Sequence, residues 1–199
     1  MSTEPMHSLA FALRKADDLF ALSKGGRDKP SAVTKKDWDA LWNVVDRATN
    51  QVEATLDAVT CALADGLQRT GLRFERVTRA ETSRTKWEAF GRVFPGRSRT
   101  AIGLLGGSIG IDAARPTMLS IWWGYLKARG IRGPHFAEVL RTSGSERVRL
   151  GIARDGWVAG TVVLAELDLS VPRSVVACSE LAREAAVLLV ANRDALLKL

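Results

Sequence analysis

Arginines interleaved with phenylalanines are the residues of this chain with the clearest chemistry. In the segment 85–94, strand alternation places one charged and aromatic set on a single face: Lys86, Glu88, Phe90, Arg92 and Phe94. Guanidinium groups neutralise phosphates and aromatic rings stack on bases, so this face combines the two elements of single-strand recognition.

Other basic residues extend the predicted face. In 146–153, Val148 and Leu150 alternate with Arg147 and Arg149, which places the two arginines on the outer side of a strand. The predicted nucleic-acid-binding residues are Arg76, Arg79, Lys86, Phe90, Arg92, Arg97, Arg99, Arg147 and Arg149. A register shift of one residue would exchange the two faces.

The positive charge is concentrated in two central blocks. Residues 69–99 contain nine basic and three acidic groups, and residues 127–154 contain seven and two, within a chain of formal net charge +7. Such blocks attract phosphates or acidic protein surfaces, and the attraction weakens with salt. The sequence therefore predicts nucleic acid or an acidic protein surface as the partner.

Two motif-like strings do not support an enzyme. Residues 106–110 fit Gly-x-Ser-x-Gly, but the chain has only two histidines to serve as base and no clear helix follows. Residues 91–98 have the glycine spacing of a phosphate-binding loop, with Arg97 where lysine belongs and a predicted strand where a helix must follow. We expect a basic hairpin turn there and no nucleotide cofactor.

Acidic residues leave a metal-dependent nuclease open as an alternative function. Two histidines and two distant cysteines provide no zinc-ligand spacing. Carboxylates in or beside the predicted sheet could hold magnesium in a basic cleft: Glu75, Glu81, Glu88, Asp112 and Glu146. No Asp…Glu-x-Lys arrangement accompanies them, so we predict no metal site and favour a non-enzymatic binding protein.

Helical patterns dominate the first third of the chain. Residues 6–22 have apolar positions at helical spacing, and Thr34 to Asp37 form a capping box before a helix predicted from about 35 to 70. Its apolar stripe could bind another protein or a second copy of the chain, which is the second alternative function. The partner-binding candidates are Trp38, Leu41, Trp42, Val45 and Val52.

From Leu72 the pattern changes to short extended segments. Strands are predicted at about 72–80, 85–94, 100–111, 117–126, 146–153 and 157–167, with turns at Pro95-Gly96 and Asp155-Gly156. A short helix is expected near 134–142, and Ser170 with Pro172 opens a final helix to Leu199.

The predicted fold class is α+β. It comprises an N-terminal helical hairpin over 1–71 and, over 72–199, an antiparallel sheet of about six strands with a long C-terminal helix, in one continuous core.

Of the adjacent Trp122 and Trp123, one should enter the core. Cys61 and Cys178 should be buried thiols in a reducing compartment. The longest apolar run is too short for a membrane helix, so we expect a cytoplasmic protein without a membrane partner.

Overall fold

The computed structural model describes residues 33–68, 70–77, 86–112, 115–126, 138–140, 149–151, 158–169 and 173–198. The helices with defined bounds are α1 (Lys35–Gln68), α2 (Val175–Ala191) and α3 (Arg193–Leu197). Residues 138–140, within the segment 134–142 predicted to be a short helix, are helical as well. The strands are β1 (Leu72–Arg76), β2 (Lys86–Pro95), β3 (Gly103–Asp112), β4 (Arg115–Leu126), β5 (Arg149–Gly151) and β6 (Val158–Asp168).

The strands form one antiparallel sheet in the order β1-β2-β3-β4-β6-β5. Five strands have between five and twelve residues, and β5 has three. The mixed helix-and-sheet class, the antiparallel sheet and the long C-terminal helix are confirmed. The helix predicted over 6–22 and the turn predicted at Asp155-Gly156 lie outside the described residues.

Helix α1 follows its sequence pattern closely. The backbone N–H of Asp37 donates to Thr34 Oγ1 at 3.2 Å, and the Thr34 hydroxyl donates to the Asp37 carboxylate at 2.6 Å, which confirms the predicted cap. The second half of α1 packs on α2 and on strands β1 to β3. Its residues Leu56 and Leu63 belong to the main core with inward side chains of the sheet.

The final helix begins later than predicted. Its N-cap is Ser174, whose Oγ accepts from the N–H of Ala177 at 3.2 Å, so Ser170 and Pro172 do not open it. The helix ends at Ala191, and Asn192 separates it from α3.

Both faces of the sheet carry buried apolar side chains. Trp123 is fully buried in the main core, as expected for one of the two adjacent tryptophans. Trp122 points to the opposite side and forms a smaller cluster with Leu104, Phe90 and Leu126. We use "outer face" for the side of Trp122, since α1, α2 and α3 contribute to the main core on the other side.

The cysteines differ from each other in exposure. Both are free thiols; Cys178 is buried in α2 as predicted, but Cys61 is exposed on α1, so its predicted burial is wrong. Burial raises the pKa of the Cys178 thiol to about 11. Among the described helices, none has the length and apolar content needed to cross a membrane.

Candidate nucleic-acid interface

The pairing register assigns several basic residues to the outer face. Val93 is fully buried in the main core, so its neighbours Arg92 and Phe94 lie on the outer side. In the β1–β2 pair, Arg73 lies opposite Phe94 and Glu75 lies opposite Arg92. Arg73 and Glu75 therefore share the outer face with Arg92.

The turn between β2 and β3 brings two further arginines to the same end of the sheet. Gly96 has a φ of 52°, a conformation that favours glycine, and its N–H donates to the carbonyl of Gly71 at 2.7 Å. The predicted turn is therefore present and is tied to the residue before β1. Arg97 and Arg99 flank Ser98 in this turn, and both are exposed.

Four arginines thus lie together, and we call Arg73, Arg92, Arg97 and Arg99 the arginine surface. All four are exposed. Arg73 Nη2 donates to the carbonyl oxygen of Ser98 at 3.1 Å, which connects β1 directly to the turn. Arg73 Nη1 also contacts the Glu75 carboxylate. The Glu75 carboxylate therefore lies among the guanidinium groups at this end of the outer face.

The sequence predicted that the phenylalanines of this face would present open rings for stacking on bases, but in the structure their rings are covered. Phe94 is 6% exposed, and the Arg73 guanidinium carbon lies 4.5 Å from its ring centroid. Phe90 is half-buried and packs against Trp122 with 5.7 Å between ring centroids. The rings hold neighbouring side chains in place, because cation–π and ring–ring contacts favour these geometries.

Arg76 is separated from the arginine surface. It has the same strand parity as Leu72 and Phe74, which pack in or against the main core, so it lies on the helix-facing side of β1. There it forms an ion pair with Asp57 of α1. The placement of Arg76 with the outer arginines was wrong, because β1 contributes alternate residues to opposite faces.

The remaining predicted basic residues are described in part or not at all. Arg79 and Arg147 lie outside the described residues. For Lys86 and Arg149 the backbone register is described: Lys86 lies opposite Gly110, and Arg149 lies opposite Val163. Val163 in turn lies opposite Trp122, so Arg149 occupies a register position of the outer face.

A cavity of about 490 Å³ lies between α1 and the β1–β2 edge. Its lining residues include Glu53, Asp57, Arg76 and Glu88. Within the described ranges, no three His, Cys, Asp or Glu side chains are grouped so that they could hold a metal ion. Of the other nuclease candidates, Glu81 and Glu146 lie outside those ranges, Glu75 contacts Arg73, and Asp112 ends β3.

The other motif residues occupy ordinary positions in the sheet. Ser108 is 6% exposed in the middle of β3, opposite Ser120, and is not at a strand-to-helix turn. Residues 91–98 form the end of β2 and its turn, with β3 next along the chain. Neither segment has the helix that a serine nucleophile or a phosphate-binding loop needs.

Most of the partner-binding candidates on α1 are buried within the chain. Trp38, Trp42 and Val45 form a small cluster in which the two indole rings meet edge to face at 6.0 Å. Val52 belongs to the main core and is fully buried. Leu41 is 42% exposed and is the one member of the set open to solvent.

Arg73 is the functional candidate that the sequence reasoning missed. The sequence feature that could have identified it is the Arg-x-Glu spacing in a five-residue strand, which puts Arg73 and Glu75 on one face. This spacing indicates the outer face only when the pairing of β1 with β2 is known, because that pairing puts Arg73 opposite Phe94. No family model, curated protein or solved structure matches the chain.

Proposed function

We propose that the protein binds nucleic acid through the arginine surface, without catalysing a reaction. The observation that carries the proposal is the convergence of Arg73, Arg92, Arg97 and Arg99 at one end of the outer face. Exposed guanidinium groups on adjacent strands and a short turn provide several phosphate contacts along one surface.

The distribution of exposed apolar side chains favours nucleic acid over an acidic protein. Protein interfaces depend on a few buried apolar or aromatic anchors. Among the described residues, the exposed large apolar side chains are Leu41, Val44, Val176 and Val187, all on α1 or α2. The arginine surface has charge without such an anchor, which suits the phosphate backbone of a nucleic acid.

The test is fluorescence-anisotropy binding to labelled single-stranded and duplex DNA and RNA at several salt concentrations. The variant is Arg92→Ala/Arg97→Ala/Arg99→Ala. Log affinity falls with log salt, and for a single strand each lost phosphate contact makes that slope less steep by about 0.7. Three lost contacts therefore reduce its magnitude by roughly 2. The fold of the variant is checked by circular dichroism and thermal unfolding.

A second triple variant controls for net charge. Lys36→Ala/Arg47→Ala/Arg183→Ala removes the same number of positive charges from exposed helix positions. We expect it to retain nearly all of the affinity, since the removed charges lie on α1 and α2. Equal losses in both variants would show that only net charge matters, and no binding at low salt would refute the proposal.

A second candidate function is self-association through α1. Leu41 and Val44 are 42% and 44% exposed and lie one helical turn apart. Sedimentation velocity would test this, with Leu41→Glu expected to dissociate an oligomer and Val176→Glu on α2 as the matched control. A monomeric wild-type protein at high concentration would eliminate this candidate.

A further inference from the structure

We propose that Arg73 is a stacking platform for an unpaired base, and that the nucleic acid bound is single-stranded. The inference rests on the proposed function and assigns a distinct role to one member of the arginine surface. Arg73 would contact the flat face of a base, whereas Arg92, Arg97 and Arg99 would contact phosphates.

The Arg73 guanidinium group contacts an aromatic ring on one side and two oxygen atoms through its terminal nitrogens. Its carbon lies 4.5 Å from the centroid of the Phe94 ring. Nη2 donates to the Ser98 carbonyl oxygen at 3.1 Å, and Nη1 contacts the Glu75 carboxylate. These contacts come from β2, from the turn and from β1, so the orientation of the group is fixed before any ligand binds.

The Arg73 side chain keeps a large exposed area. It is 46% exposed, although Phe94 is only 6% exposed. Because the Phe94 ring lies against one side of the guanidinium group, we infer that the exposed area includes the other side. A planar guanidinium group supported in this way is a known type of surface for base stacking.

The neighbours of Arg73 reduce its capacity to bind a phosphate. Phosphate contacts use the five in-plane N–H groups of arginine, and here one terminal nitrogen already donates to a carboxylate and the other to a carbonyl oxygen. The Glu75 carboxylate also offsets the positive charge that would attract a phosphate. The open flat face is therefore the feature of Arg73 that suits a ligand best.

Stacking on this face requires a base whose own face is free. In a duplex, neighbouring base pairs cover the base faces, whereas a single strand can turn its bases outward. Phosphates next to such a base would meet Arg92 on the same face and the arginines of the adjoining turn. The geometry thus predicts stronger binding of single strands than of duplexes of equal length.

The decisive variant is Arg73→Lys, which retains the charge and removes the plane. Anisotropy titrations use three labelled DNA probes of equal length: a single strand, a duplex, and a single strand of abasic residues. We expect Arg73→Lys to weaken binding of the normal single strand about tenfold, with an unchanged salt slope and little effect on the abasic probe. Arg183→Lys, at an exposed position of α2 outside the arginine surface, is the matched control and should bind all three probes nearly as the wild type does.

The outcomes separate this inference from the proposed function. Wild-type protein that binds the normal and abasic strands equally, with Arg73→Lys neutral, would overturn the stacking role and leave nucleic-acid binding standing. Equal weakening of the normal and abasic single strands by Arg73→Lys would identify Arg73 as a backbone contact and would also overturn it. Failure of the wild type to bind any probe would refute the proposed function itself.

Discussion

The contact between α1 and α2 can be tested by moving one methyl group from one helix to the other. A Cβ atom built on Gly66 of α1 would lie 2.5 Å from the Cβ of Ala186 on α2. Carbon atoms in contact are normally about 3.5–4.0 Å apart, so Gly66→Ala would push the helices roughly 1 Å apart. Overpacking of this kind costs about 1–3 kcal/mol, and the better helix propensity of alanine returns about 1 kcal/mol.

We therefore expect Gly66→Ala to destabilise the protein by about 1 kcal/mol. Ala186→Gly should cost about 2 kcal/mol, from lost helix propensity together with one buried methyl group. The double variant places the methyl group on α1 in the space vacated on α2, so its stability should return to near that of the wild type. The expected coupling energy is about 2–3 kcal/mol in favour of the pair.

Urea unfolding followed by circular dichroism measures these free energies. Gly110→Ala is the control for added volume, because a Cβ atom there meets nothing within 4 Å. A Gly66→Ala variant more stable than the wild type, together with additive effects in the double variant, would show that the helices do not touch at this point.

Four further predictions concern the two cysteines, a helix cap and an ion pair. Native protein should react with one equivalent of an aromatic disulfide reagent at pH 8, at Cys61, because burial raises the pKa of Cys178 to about 11; two equivalents would contradict this. Since that pKa lies above the ordinary 9.0, the stability that depends on the neutral thiol is lost as pH rises from 9 towards 11, and Cys178→Ala should reduce the alkaline loss in urea titrations. Thr34→Ala should cost about 1 kcal/mol in urea unfolding through loss of the helix cap, and an unchanged midpoint would argue against the cap. A double-mutant cycle on Arg76 and Asp57 should give a coupling below about 1 kcal/mol, because both side chains are at least half exposed, and a larger value would show that the pair is shielded from solvent.

Local signals predicted α1 well. The apolar stripe and the Thr34–Asp37 cap lie within the helix or directly before it, so the predicted span of about 35–70 is close to Lys35–Gln68. The start of the last helix was predicted less well, because Ser170 and Ser174 are both acceptable caps. The serine used is the one further from the end of β6, which runs to Asp168.

The arginine surface was predictable only in part. Strand parity placed Arg92 and Phe94 on one face, since alternation is a property of a single strand. The roles of Arg73 and Arg76 depend on how β1 pairs with β2, and that register is not encoded in either strand alone. The same pairing explains why Phe94 is covered: the guanidinium group above it comes from the neighbouring strand.

The covered phenylalanines change the chemistry expected of the outer face. The sequence suggested that rings would stack on bases and that every arginine would neutralise a phosphate. In the fold, Phe90 packs on Trp122 and Phe94 supports Arg73, so neither phenylalanine presents a fully open ring. The arginines would then divide the two tasks according to their neighbours. Arg73, beside a carboxylate, offers a flat face, whereas Arg97 and Arg99 in the exposed turn offer charge. If the tasks are divided in this way, Arg73→Lys lowers the affinity without changing the salt slope, whereas removal of Arg97 and Arg99 reduces the salt slope. A surface of four equivalent charges could not produce this difference.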